Sequence, residues 1–167
     1  SFEKLFCKKF KFKNSIALNS GTSALHLALL ISKIRADDLI ITPSYTFAAT
    51  VNAILYTGAK PWFFDCNKEL ILDLEKLKNL IKKKTFIRKK TLIDKSTLKK
   101  IKAIIEVQSY GKKIDFKKFE EFAKKYYLKI IFDSASCHNQ NMFQFKKNNN
   151  SIFCFSFNGN KTLTTGA

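Results

Sequence analysis

Ser156-Phe157-Asn158-Gly159-Asn160-Lys161-Thr162-Leu163-Thr164-Thr165-Gly166 places one lysine in an uncharged turn of hydroxyls, amides and glycines. Nearly all the other lysines stand in basic clusters, so Lys161 is set apart by its neighbours. The apolar run Ile152-Phe153-Cys154-Phe155 precedes the turn and reads as a strand that delivers it. A lone amine in such a place is suited to form a Schiff base with an aldehyde cofactor such as pyridoxal phosphate. Two other stretches share the pattern of chemistry at the end of an apolar run. Asp133 closes Ile130-Ile131-Phe132, and Gly21-Thr22-Ser23 opens a helix after Ile16-Ala17-Leu18.

The remaining periodicities predict an α/β fold of three layers around a mostly parallel central sheet. Phe2 to Phe10 reads as an amphipathic helix, Ile16-Ala17-Leu18 as a short strand, and Ala24 to Ile34 as a helix. Strands are expected at Leu39 to Thr42, Trp62 to Asp65, Ala103 to Val107 and Lys129 to Phe132. Helices are expected after Pro43, over Leu72 to Ile81, and from a cap at Asp115 through Tyr126. The lysine-rich segment Lys82 to Lys102 reads as a surface loop, and Phe143 to Asn150 as a second, polar loop.

A helix N-terminus presents unpaired N–H groups and partial positive charge, so the turn Ser20-Gly21-Thr22-Ser23 is a place where a phosphate would be well held. Plain N-capping by Ser20 or Thr22 accounts for the same residues. An Asp after a strand is a cofactor ligand or a turn residue, and Phe47, as one of 17 phenylalanines, reads by itself as core.

Four blocks in order resemble the DegT/DnrJ/StrS-like sugar aminotransferases, pyridoxal-phosphate enzymes of the aspartate aminotransferase fold. They are Asn19 to Leu29, Thr42 to Thr50, Asn52 to Pro61 and Ser156 to Gly166, and the resemblance spans nearly the whole chain. It implies that Lys161 holds the cofactor and shuttles protons, and that Thr22, Ser23 and Ser156 form a phosphate cup. It further implies that Phe47 stacks on the pyridine face and that Asp133 pairs with the ring nitrogen. Ser136 stands where the family commonly has a longer Gln, His or Glu reaching the phenolic oxygen. Glu106, Gln108 and Asn139 depart from the family's usual proline, histidine and glycine, and His138 is either near the site or structural.

The Asn-Gly-Asn-Lys-x-x-Thr-Thr-Gly form resembles the branch that aminates C4 of nucleotide-linked 4-keto-6-deoxy sugars for surface polysaccharides and glycans. Glutamate is then the implied amino donor and a homodimer the implied full-length assembly. Amination at C3 stays open. Dehydrating relatives carry histidine in place of the lysine, which Lys161 argues against. The family's enzymes are considerably longer, so residues 1–167 are read as a large cofactor-binding domain truncated at both ends, with the small C-terminal domain absent. An inactive truncated gene product is the alternative.

Thirty-one basic against 13 acidic residues give a net charge of +18. A basic nucleic-acid-binding module is therefore a third reading. Only Arg35 and Arg88 are arginines, and arginine is the side chain that reads phosphates and guanines as a fork, so nucleic acid is not the expected partner. Four scattered cysteines without a Cys-x-x-Cys, and two histidines, argue against zinc and against a disulfide framework. A reducing, cytoplasmic setting fits them. The longest apolar stretch, Ala24 to Ile31, is too short to span a bilayer, so no membrane partner is expected.

Overall fold

A computed structural model describes residues 1–137, 151–161 and 163–165. In chain order its elements are α1 (Phe2–Phe10), α2 (Gly21–Ile31), β1 (Leu39–Pro43), α3 (Ala48–Tyr56), β2 (Lys60–Phe64) and α4 (Leu74–Lys84). There follow β3 (Thr85–Arg88), β4 (Thr91–Asp94), β5 (Lys100–Val107), a 3-10 turn (Ser109–Gly111), α5 (Phe116–Lys125), β6 (Lys129–Asp133) and β7 (Ser151–Cys154). Strands β2, β1, β5, β6 and β7 lie side by side and parallel. The antiparallel hairpin β3–β4 is added beside the amino end of β5.

Period-two alternation gives the sheet two apolar faces, and each is covered by helices. Ile40, Ala103, Ile105 and Ile131 pack with Leu25, Ala28 and Leu29 of α2 and with Ala53 and Ile54 of α3. Ile41, Ile104, Ile130 and Phe132 pack with Leu77 and Ile81 of α4 and with Phe119, Phe122 and Ala123 of α5. The three-layer α/β architecture expected from the sequence is the one found. Side-chain oxygens cap the helices as their sequences suggest: Asp73 accepts from the Lys76 amide at 3.0 Å, and Asp115 from the Lys118 amide at 3.2 Å. Helix α1 buries no residue fully, but its Phe6 and Phe10 join Phe12, Phe153 and Phe155 around buried Cys137.

The structure corrects three expectations. Ile16-Ala17-Leu18 is not a strand: the Ala17 amide donates to Glu3 Oε1 at 2.9 Å, and Ile16 and Leu18 are exposed. Helix α2 starts at Gly21, three residues earlier than its apolar pattern, because Ser20 caps it. Lys82 to Lys102 is not a loop; it holds the end of α4, the β3–β4 hairpin and the start of β5. The apolar pairs Phe86-Ile87 and Leu92-Ile93 align across that hairpin and leave Lys89 and Lys90 as its two-residue turn. The expected loop Phe143 to Asn150, with His138 and Asn139, lies outside the described residues.

Glu106, on β5, is fully buried on the α4/α5 face; its Oε2 accepts from the Leu72 amide at 3.2 Å, and among the described residues its Oε1 has no hydrogen-bond partner. Burial pushes its carboxyl up to about 8, against the smaller opposing effect of backbone amides. The folded state therefore holds this proton more tightly than the unfolded chain, so stability is fully present at acidic pH and falls as pH rises from the ordinary glutamate range through about 8. Glu106→Gln is expected to remove that loss, raising unfolding stability at pH 9 by on the order of 4 kcal/mol while leaving pH 4 nearly unchanged. Urea unfolding of both proteins across that range checks it; parallel pH profiles would contradict it.

Candidate active site

The strand order reverses between β1 and β5: the chain leaves β1 toward β2 on one side, and later leaves β5 toward β6 and β7 on the other. Ligand crevices in open α/β sheets form at such a point, beyond the carboxyl ends of the strands. A cleft opens there. Phe47 enters it from the segment after β1, Gln108 and Tyr110 from that after β5, and Asp133 and Ser136 from the end of β6. Ser156 and Lys161 enter from the segment after β7, and Gly21 and Thr22 from the first turn of α2.

Asp133 is the best-defined polar group of the cleft. Its carboxylate is buried, accepting from Thr50 Oγ1 at 2.7 Å and from the Ala135 amide at 3.2 Å. Thr46 Oγ1 donates in turn to Thr50 Oγ1 at 2.8 Å, one helical turn earlier, so a chain of hydroxyls runs into the carboxylate. Burial raises the pKa of Asp133; the Thr50 hydroxyl, the Ala135 amide and the Lys161 charge each oppose that rise.

At the start of α2, the Ser20 side chain accepts from the Ser23 amide at 3.1 Å and its carbonyl from the Ala24 amide at 3.1 Å. The Ser23 hydroxyl is turned back to Asn19 Oδ1 at 2.7 Å and Ser20 Oγ at 2.9 Å. Ser23 is thus part of the cap and not of the cleft lining, whereas Thr22 lines the cleft. Gly21 packs against the β7 loop: a Cβ there would stand 3.1 Å from Ser156 Cβ and 3.4 Å from its Oγ. A glycine lets the helix N-terminus and the Ser156 hydroxyl approach closely without displacing Ser156, and together they form a small polar cradle.

Phe47 occupies the N-cap position of α3 with an extended backbone, and its ring is 76% exposed on the cleft. Phe47 is thus not a residue of the core, and its ring is free to meet whatever enters the cleft. Lys161 Nζ lies 6.0 Å from the centroid of that ring, within reach of its negative face. Ser136 is exposed at the cleft rim. The structure thus brings Thr22, Phe47, Asp133, Ser136, Ser156 and Lys161 to one cleft and leaves Ser23 beside it. Sequence reading missed Thr46 and Thr50, whose i, i+4 spacing across the start of α3 was the available signal, and the Tyr45–Tyr110 hydroxyl pair at 2.7 Å.

The DegT/DnrJ/EryC1/StrS aminotransferase family model matches residues 1–167. The chain belongs to that family. It is 36% identical over 168 residues to GDP-perosamine synthase of Caulobacter vibrioides, covering 99% of this chain and 41% of that protein. It is 34% identical to a UDP-4-amino-4,6-dideoxy-N-acetyl-beta-L-altrosamine transaminase of Campylobacter jejuni, over 98% of this chain and 40% of that one. Its fold is similar to that of NtdA from Bacillus subtilis with bound cofactor PMP, with a TM-score of 0.68 and 28% identity over 81% of this chain and 28% of that one. The chain therefore spans about 40% of the length of the curated relatives it matches.

Pyridoxal phosphate is the cofactor that family membership implies, and the cleft suits it on its own geometry. The cradle at Gly21 has the donors an anionic group needs, the exposed Phe47 ring offers a flat face, and the buried Asp133 carboxylate offers a partner for a protonated ring nitrogen. Thr50→Val keeps the shape of α3 but strips the carboxylate of its hydroxyl donor, and is expected to cost roughly 2 kcal/mol of folding stability. Denaturant titration at pH 7 checks this; an unchanged midpoint would mean that the Thr50–Asp133 bond does not hold the carboxylate.

Proposed function

We propose that the whole protein transfers an amino group to a nucleotide-linked keto sugar using pyridoxal phosphate, with Lys161 as the catalytic residue. The observation that carries this reading is the placement of the Lys161 amine and the buried Asp133 carboxylate on one cleft, the charge of the first acting on the second. When bound, pyridoxal phosphate supplies an aldehyde that carries nitrogen and a ring that accepts electrons. The Gly21 and Thr22 amides and the Thr22 and Ser156 hydroxyls would hold its phosphate, with Ser23 fixing the helix start. Phe47 would cover one face of its ring and exclude water there. Asp133 would keep the ring nitrogen protonated, and Ser136, exposed at the rim, would offer a hydroxyl to the phenolic oxygen. Lys161 Nζ would carry the proton between the substrate carbon and the cofactor, a step worth a factor of roughly 10² to 10⁴ in rate.

The finer substrate reading is a 4-keto-6-deoxy sugar with glutamate as donor, in a homodimer that serves surface-polysaccharide or glycan synthesis. The 4-amino-4,6-dideoxy sugar in the Campylobacter relative's name and the perosamine of the Caulobacter relative support it.

Borohydride reduction of the protein in the presence of pyridoxal phosphate, followed by peptide mass mapping, is expected to place the label on the peptide holding Lys161. Lys161→Ala is expected to abolish that label and to slow amino transfer from glutamate to a GDP-linked 4-keto-6-deoxy sugar by at least about 100-fold. A label at another lysine would overturn the assignment.

A further inference from the structure

The most heavily charged part of the chain lies away from the cleft. Between residues 82 and 102 stand ten of the 31 basic residues and a single acid, Asp94. That acid is consumed locally: its Oδ2 accepts from Ser96 Oγ at 2.6 Å, the Thr97 amide at 2.9 Å and Thr97 Oγ1 at 2.7 Å. Among the described residues, no ion pair engages Lys82, Lys84, Arg88, Lys89 or Lys90. Their charges face solvent uncompensated.

The hairpin presents these cations in a particular form. Lys89 and Lys90 make its two-residue turn with φ of 49° and 57°, the left-handed region that asparagine and glycine fill most readily. Three adjacent cations, Arg88, Lys89 and Lys90, therefore sit at a tip whose geometry and mutual repulsion both disfavour them. Behind the tip are apolar side chains that the fold does not cover. Ile87 is 49% exposed and Phe86 39%, on opposite faces of β3. Leu92 enters the core on the α4 side, whereas Phe86 and its cross-strand partner Ile93 lie on the other face of the hairpin. Among the described residues, strand β3 is also one of the free edges of the sheet.

We propose that the β3–β4 hairpin is a docking surface for an anionic phospholipid bilayer, the cations at its tip pairing with headgroups and Phe86, close behind them, dipping among them. Charge complementarity and the exposed apolar residues beside the charges are the two requirements of such a contact. Surface attachment needs no spanning segment. Lysine, a compact point charge, suits a diffuse anionic surface better than a nucleic acid, whose recognition favours the arginine fork. The contact leaves the cleft free. Strand β4 pairs with Lys100 and Ile101, whereas the cleft lies beyond Val107, about 20 Å along β5.

Vesicle co-sedimentation of the full protein tests this. Binding is expected to vesicles of phosphatidylcholine containing phosphatidylglycerol, to be at least about ten-fold weaker on phosphatidylcholine alone, and to weaken with added salt. The combined change Arg88→Ser, Lys89→Asn and Lys90→Gly is expected to weaken it on the order of 100-fold. Because Asn-Gly suits the turn, that variant is expected to melt no lower than the parent. Phe86→Ser is expected to remove the part of binding that survives high salt. Removing the same charge on α5, by Lys117→Ser, Lys124→Ser and Lys125→Ser, is expected to change binding less than about two-fold, a small effect of net charge. Equal binding to neutral vesicles, or equal loss from the α5 and hairpin variants, would overturn the proposal. So would tip-dependent capture of a single-stranded oligonucleotide without any vesicle binding.

Discussion

One carboxylate, removed from water at the end of a parallel strand, organises this molecule. Asp133 sits where the backbone of β6 leaves the sheet, and burial alone would drive it toward its neutral form. Three groups oppose that: a hydroxyl from α3, an amide two residues on, and the charge of a lysine from the segment after β7. Each comes from a different part of the chain. The carboxylate is therefore both a tie between elements and a measure of whether they are correctly assembled.

The layers explain how those parts come to meet. Helices α2 and α3 cover one face of the sheet and begin at its carboxyl edge, so α2 presents its amino end and α3 presents Phe47 and Thr50 to the same space. Gly21 lets α2 approach Ser156, and Ser20 with Ser23 fixes where the helix starts. The opposite face, packed by α4 and α5, carries a second apolar cluster and the buried Glu106.

The α/β class and its mostly parallel sheet were legible in the sequence, because alternating apolar runs and residues at strand ends depend on local spacing. Lys161 stood out by its uncharged neighbours and Asp133 by its place at a strand end, whereas Phe47 was singled out only by the family resemblance. Ser23 was harder, since a serine in the first turn can face a ligand or its own cap, and only the direction of its hydroxyl toward Asn19 separates these. The hairpin was hidden because its turn lacks asparagine and glycine, and a lysine run reads as solvated chain. Ile16-Ala17-Leu18 misled for the opposite reason: a β-prone tripeptide found no neighbouring strand, and the Ala17 amide went to a glutamate side chain.

The central claim is that Asp133 holds the ring nitrogen of bound pyridoxal phosphate in its protonated form. Nitrogen-15 NMR of the protein loaded with ring-labelled cofactor reads that proton directly. A pyridinium signal in the parent that reverts to neutral pyridine in Asp133→Asn is the expected result; an unprotonated nitrogen in the parent, or a signal indifferent to the substitution, would contradict it.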